Sequence, residues 1–412
     1  MKTAAVVKPP LLPVLGVVVS QLCVGVVYLW SAFRMSAVNY FGWSPEDANL
    51  VSGLMLFLFC AGSFAGGILN DRLRPKKVSV LGILVFCAGL FLSSCIPQNV
   101  SIVWFYLTYC LIGGVGVGLT FNAGVFCLQS WYPHKRGFAS GLGTAAFGLG
   151  SVVFSPIIST LLGQMNIVAV LRTLSVAVLI VGMAACLAIR EPDEAYLAAL
   201  PKAAAKKEDL AAARSMTFRE AAKTPPFWLM VAGLFFYNST WNMLTPLVKD
   251  LGIERGLTAN TAVLCLSLTG AFNALGRLVM STWSDRLGRV NTIYLLSGIT
   301  TLCATALIFV GGWVYFGVTL MTVFAFGGPA AVFPATCTDL FGPAHSGTNY
   351  GFCMLALGAS GIVFQALSNV LHTATGGYTL TFIVGAVTAA ATVVIYYFID
   401  RIVKAHNAQA QQ

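Results

Sequence analysis

Twelve runs of mostly apolar residues divide this chain, near 11–33, 47–69, 78–96, 101–129, 137–162, 167–189, 226–248, 259–283, 291–311, 313–337, 349–373 and 379–399. Each is close to the length a helix needs to cross hydrocarbon. Within hydrocarbon, only a helix or a closed barrel can satisfy its own backbone. Charged residues make up 9% of the 412, against about 25% in ordinary globular domains, and the mean hydropathy is +0.82. These runs predict an all-α membrane protein with twelve transmembrane helices. The first run is long enough to span and lacks a small-residue cleavage site, so it is expected to stay as a membrane helix.

The net charge of +10 does not indicate nucleic acid. With both termini placed on one side, 19 of the 24 Lys and Arg residues fall in the segments on that side. Arg34, Arg172, Lys249 and Arg255 fall on the other. This asymmetry predicts cytoplasmic termini. The expected setting is multi-pass in a bacterial cytoplasmic (inner) membrane, in contact with lipid and working as a monomer. The eleven cysteines lie in predicted helices without a CxxC pair, which reads as apolar packing. No metal or other cofactor is expected.

Arg277 is the one charge that cannot be moved out of a predicted span. It follows thirteen residues with no Lys, Arg, Asp or Glu, from Leu264 to Gly276. A guanidinium at that depth costs roughly 2.5–3.5 kcal/mol on insertion scales, so it is expected to have a polar task. Its planar fork of donors fits a carboxylate. Asn273 lies one turn earlier on the same helix face, able to donate to that carboxylate or to hold the guanidinium.

The chain also repeats itself. Pro133-x3-Gly137-x3-Gly141 matches Pro343-x3-Gly347-x3-Gly351, and Asn70-Asp71-Arg72-Leu73 matches Ser284-Asp285-Arg286-Leu287, at offsets of 210 and 214. Such parallel repeats with a site at mid-depth are a transporter architecture. The expected division is a six-helix half over 1–189, a cytoplasmic linker over 190–224, a second half over 225–400 and a tail over 401–412. Within the linker, Ala203–Arg214 has the composition of a helix.

Twelve spans, this duplication and the loops Gly67-x3-Asp71-Arg72-x-Arg74 and Trp283-Ser-Asp285-Arg286-Leu-Gly288-Arg289 resemble the major facilitator superfamily. In the first loop Arg74 stands where Gly is usual. More narrowly, Tyr28-Leu-Trp30, Trp131-Tyr-Pro-His-Lys-Arg-Gly137, Thr224-Pro-Pro-Phe-Trp228, Phe333-Pro334 and Asn349-Tyr350-Gly351-Phe352 are similar to the oxalate/formate antiporter family, close to the monocarboxylate transporters. The resemblance implies that Arg277 is the anion ligand. It also implies a central cavity lined by Tyr28, Phe121, Phe147 and Phe326, with Met354 and Leu357 as apolar wall. Family members that handle dicarboxylates carry a Lys where this chain has Leu357, which turns the expected substrate toward a monocarboxylate such as lactate, pyruvate or formate. The resemblance further implies that Asp71, Arg72, Asp285, Arg286 and Arg289 form inner gates.

The glycine runs Gly113-Gly114-x-Gly116-x-Gly118 and Gly141-x-Gly143 lie within apolar helices and read as close helix packing. Without a nucleotide motif, transport must be secondary. All fourteen acids lie in loops or at helix ends, and His372 is the only histidine within a predicted span. Two cycles remain open: symport with a proton, on His372 or on the substrate, or exchange against a counter-anion. A non-transporting receptor on the same fold is the other class. In the seventh helix, Tyr237, Asn238, Trp241 and Asn242 read equally as a gate or as an interfacial belt.

Overall fold

The computed structural model describes residues 9–200 and 215–409. The helix expected over Ala203–Arg214 lies outside them. Among the described residues, nine helices are each long and apolar enough to span a membrane. The second span is Pro45–Asn70, the third Pro75–Ser93, the fifth Arg136–Leu162, the sixth Ile167–Ala188 and the eighth Ala259–Leu287. The tenth is Gly312–Phe341, the eleventh Ser346–Thr375 and the twelfth Thr379–Gln409. The fourth, Val103–Trp131, contains a π-helical stretch over Tyr106–Gly113.

Three crossings depart from a continuous apolar helix. The first span runs as Leu11–Val24, a 3₁₀ stretch Gly25–Leu29 and Trp30–Phe41. It passes its expected end at 33 because nothing stops a helix there; Gly42, at φ 73°, does. The seventh span is likewise broken, into Pro225–Tyr237, Ser239–Leu244, a 3₁₀ turn Thr245–Leu247 and Val248–Glu254. The first and seventh hold matching places in the two halves. The ninth, Arg289–Ala306, is 18 residues and rich in Thr and Ser.

Helix starts follow local chemistry. The Asp47 amide donates to Ser44 Oγ (3.1 Å), the Ala169 amide to Asn166 Oδ1 (2.9 Å) and the Thr261 amide to Thr258 Oγ1 (3.2 Å). Each cap contributes about 1 kcal/mol by satisfying an orphan amide.

The halves meet along two helix pairs. The second span packs on the eleventh, and the eighth on the fifth. The repeat exchanges these pairs, because the second and eighth spans are equivalents, as are the fifth and eleventh. The outer surface carries exposed apolar side chains such as Ile180, Leu302 and Val387. Polar side chains including Asn122, Gln129 and Thr338 are buried at the interface between the halves.

Candidate functional site

Arg277 lies on the eighth span, 4% exposed, and reaches across to the other half. Its Nε donates to Asn273 Oδ1 (2.6 Å) on its own helix, and its Nη1 to the Thr144 carbonyl of the fifth span (3.0 Å). The guanidinium packs beside Gly148 of the fifth span, whose Cβ position is 3.6–3.8 Å from Arg277 Nε, Cζ and Cδ, an ordinary contact distance. Among the described residues, both of its hydrogen-bond partners are neutral acceptors. The guanidinium is therefore hydrogen-bonded but not charge-compensated, and an anion would gain more from it than either acceptor does.

Depth follows from helix rise. At 1.5 Å per residue, Phe59, Phe121, Phe147, Arg277 and Leu357 each lie about 15–17 Å from the loop ends of their spans nearest the Asp71 and Asp285 loops. Together they form one layer, near the middle of an approximately 30 Å hydrocarbon core.

Three phenyl rings fill part of this layer. Phe59 stacks on Phe147 with centroids 5.3 Å apart, Phe121 meets Phe59 edge-on at 5.1 Å, and Phe121 and Phe147 lie 5.0 Å apart. Phe121 and Phe147 come from the resemblance. Phe59 had no sequence signal, being one of 28 phenylalanines in an apolar run. Met354 is buried between the halves, where its Sδ accepts from Ser63 Oγ at 3.1 Å, and Leu357 is half-buried. Phe326 does not join this group. It packs on Trp241 at 5.8 Å, in a separate cluster of the C-terminal half. The side chain of Tyr28 lies outside those described.

His372 lies in the last turn of the eleventh span, about 22 Å farther along it than Leu357. It stacks on Tyr378 with centroids 4.2 Å apart. Arg277 and His372 are thus not brought together. Tyr237 donates to the Ala325 carbonyl (2.8 Å), and Asn242 to Ser360 Oγ (3.2 Å). Tyr237, Asn238, Trp241 and Asn242 are all buried within the protein, so they do not form a lipid-facing belt.

At the loop end, Asp285 Oδ1 and Oδ2 accept from the Gly137 and Phe138 amides of the fifth span (2.9 and 2.8 Å). Arg289 pairs with Asp285 (2.8 Å) and Asp339 (2.9 Å), and Arg136 joins Asp339 at 3.1 Å. At the equivalent place in the other pair, Asp71 Oδ2 meets Thr348 Oγ1 (2.8 Å) and His345 Nδ1 (2.9 Å) of the eleventh span. Both contacts cross between halves, so this end of the bundle is closed. Arg72 and Arg286 are exposed and make no side-chain bond among the described residues.

Inner phenyl wall, lone guanidinium and pseudo-symmetric latches together define a two-half membrane carrier. A family model described as Major Facilitator Superfamily matches residues 14–365, and the chain belongs to that superfamily. It is 26% identical to an oxalate:formate antiporter of Oxalobacter formigenes over 91% of this chain and 88% of that protein. It is 24% identical to apicoplast pyruvate carrier 1 of Toxoplasma gondii, over 92% and 86%. The fold matches a proton:xylose symporter, XylE, at a TM-score of 0.74 with 15% identity, covering 94% of each chain. It also matches FucP in an outward conformation at 0.71 and 15%, covering 94% and 99%.

Proposed function

We propose that this protein is a secondary carrier of small monocarboxylates in a bacterial cytoplasmic membrane. Arg277 binds the substrate carboxylate, Asn273 orients the guanidinium, and the two halves rock to alternate access. The carrying observation is Arg277 itself, at mid-depth, spanning the two halves with only neutral acceptors. A carboxylate arriving there displaces the Thr144 carbonyl and gives the guanidinium an ionised acceptor in place of a neutral one, with two oxygens that match its planar fork. One cation balances one carboxylate. The rest of the layer is phenyl, thioether and alkyl, which suits a short apolar remainder and leaves a second carboxylate without a partner.

With the basic loops read as cytoplasmic, the described form is closed inward. The halves divide at a cytoplasmic linker over 190–224. The similarity to an antiporter favours exchange as the second reading, and the distance of His372 from Arg277 weakens that histidine as a proton carrier.

The test is uptake of labelled lactate, pyruvate, formate and oxalate into liposomes, with and without a proton gradient, for the wild type and Arg277→Ala. Expected is monocarboxylate uptake that the substitution removes while the protein still elutes as a folded species. Uptake that follows the proton gradient identifies symport, and uptake that requires internal anion identifies exchange. Equal flux in the variant would sink the assignment of Arg277, and binding without flux would indicate a receptor.

A further inference from the structure

The two inner latches are equivalent in position but differ in chemistry. Asp285 is held by two backbone amides and Arg289, none of which changes charge near neutral pH. Asp71 is held instead by the Thr348 hydroxyl and the His345 ring, both on one oxygen. Histidine is the side chain whose charge ordinarily changes between about pH 5 and 8. The His345 and Asp71 side chains are 35% and 20% exposed, so the solution at that end reaches them.

We infer that His345 is a proton-binding site through which the pH at the loop end sets how firmly that end stays closed. With the imidazole doubly protonated, His345 and Asp71 form an ion pair across the second and eleventh spans. After loss of one proton, at most an N–H donated to the carboxylate remains, and the attraction between the two opposite charges is lost. Closure is therefore favoured at low pH and weakened as pH rises. The charges facing His345 are Asp71 from the second span and Glu220 from the short helix Phe218–Ala221, whose carboxylate feels the ring's charge. His134, at the other latch, is the natural control. Burial first, then neighbouring Lys135, holds it below the usual histidine range. The inference concerns the latch and does not depend on which substrate is carried.

The experiment places spin labels at Leu73→Cys and Leu287→Cys, exposed and at matching places of the repeat, one in each half, in the full chain reconstituted without substrate. The background is Cys95→Ser, because Cys95 is the exposed cysteine of the eleven. Double electron–electron resonance then reads the short-distance population from about pH 5.5 to about 8.5, the interval over which histidine changes charge. The open-to-closed ratio is expected to rise about 2- to 5-fold, the range of a partly exposed ion pair. It should stay flat in His345→Gln, stay closed-weighted in His345→Lys, and titrate as wild type in His134→Gln. A flat wild-type response, or a His345→Gln protein that titrates like the wild type, overturns the inference.

Discussion

The backbones of Gly67 and Gly347 touch where the second span crosses the eleventh, so closely that a Cβ built on Gly67 would overlap the Gly347 carbonyl. The obstructing atoms are main chain and have no rotamer to give. Gly67→Ala is expected to disfavour the closed loop end by about 1–3 kcal/mol, the usual cost of overpacking. Spin-label distances across that end should shift toward longer values at every pH. Gly137→Ala should act alike, because its Cβ would overlap the Ser281 carbonyl in the other helix pair.

Asn273 holds Arg277 Nε through its side-chain oxygen. Removing that acceptor in Asn273→Ala frees the guanidinium to wander without removing its charge. The expected result is an apparent KM raised about 3- to 10-fold, the worth of one hydrogen bond of about 1 kcal/mol or slightly more. Asn273→Asp would place a permanent carboxylate against Arg277 and should abolish uptake while leaving folding intact. Transport kinetics with a thermal-unfolding control separate the two variants.

Leu357 shares the depth of Arg277 and brings no charge to the layer. Leu357→Lys supplies a second cation, and one charged hydrogen bond contributes about 1.5–3 kcal/mol. Competition of labelled monocarboxylate uptake by oxalate should strengthen roughly 10- to 100-fold. Unchanged competition by oxalate would place the substrate's far end elsewhere.

Asp285 caps the fifth span with both carboxylate oxygens. Losing a side-chain cap at a helix start costs about 0.5–2 kcal/mol. In Asp285→Ala, the Gly137 and Phe138 amides should exchange with deuterium about 2- to 30-fold faster, while peptides from the sixth span keep the wild-type rate. Mass spectrometry of the two regions provides the comparison.

The crossings were legible because each is a local property, a stretch long and apolar enough to span. The Arg277–Asn273 bond was legible for the same reason, since i and i+4 share a helix face. The duplication pointed to equivalent loops because Asp71 and Asp285 recur at one offset. What joins one helix to another was hidden. The Thr144 carbonyl that receives Arg277 is backbone and leaves no mark in residue identity. Phe59 completes the phenyl layer, but its side of the second span depends on the azimuth of that helix. Phe326 went to Trp241 because the tenth span turns its face toward the broken seventh. That break did carry a sequence signal: Pro246, inside the 3₁₀ turn Thr245–Leu247, has no backbone N–H to continue an α-helix.

The neutral acceptors around Arg277 carry an electrical consequence. On the proposed reading of Arg277 as the carboxylate ligand, the empty carrier holds one uncompensated positive charge at mid-depth, and loading with a monoanion makes the site neutral. Membrane voltage therefore acts on the return of the empty carrier and leaves the loaded step nearly untouched. A full elementary charge crossing 100 mV is worth about 2.3 kcal/mol, an upper bound for this site. In the proposed orientation, an inside-negative potential would draw the empty form to face inward and so bias the side on which the unloaded carrier awaits substrate.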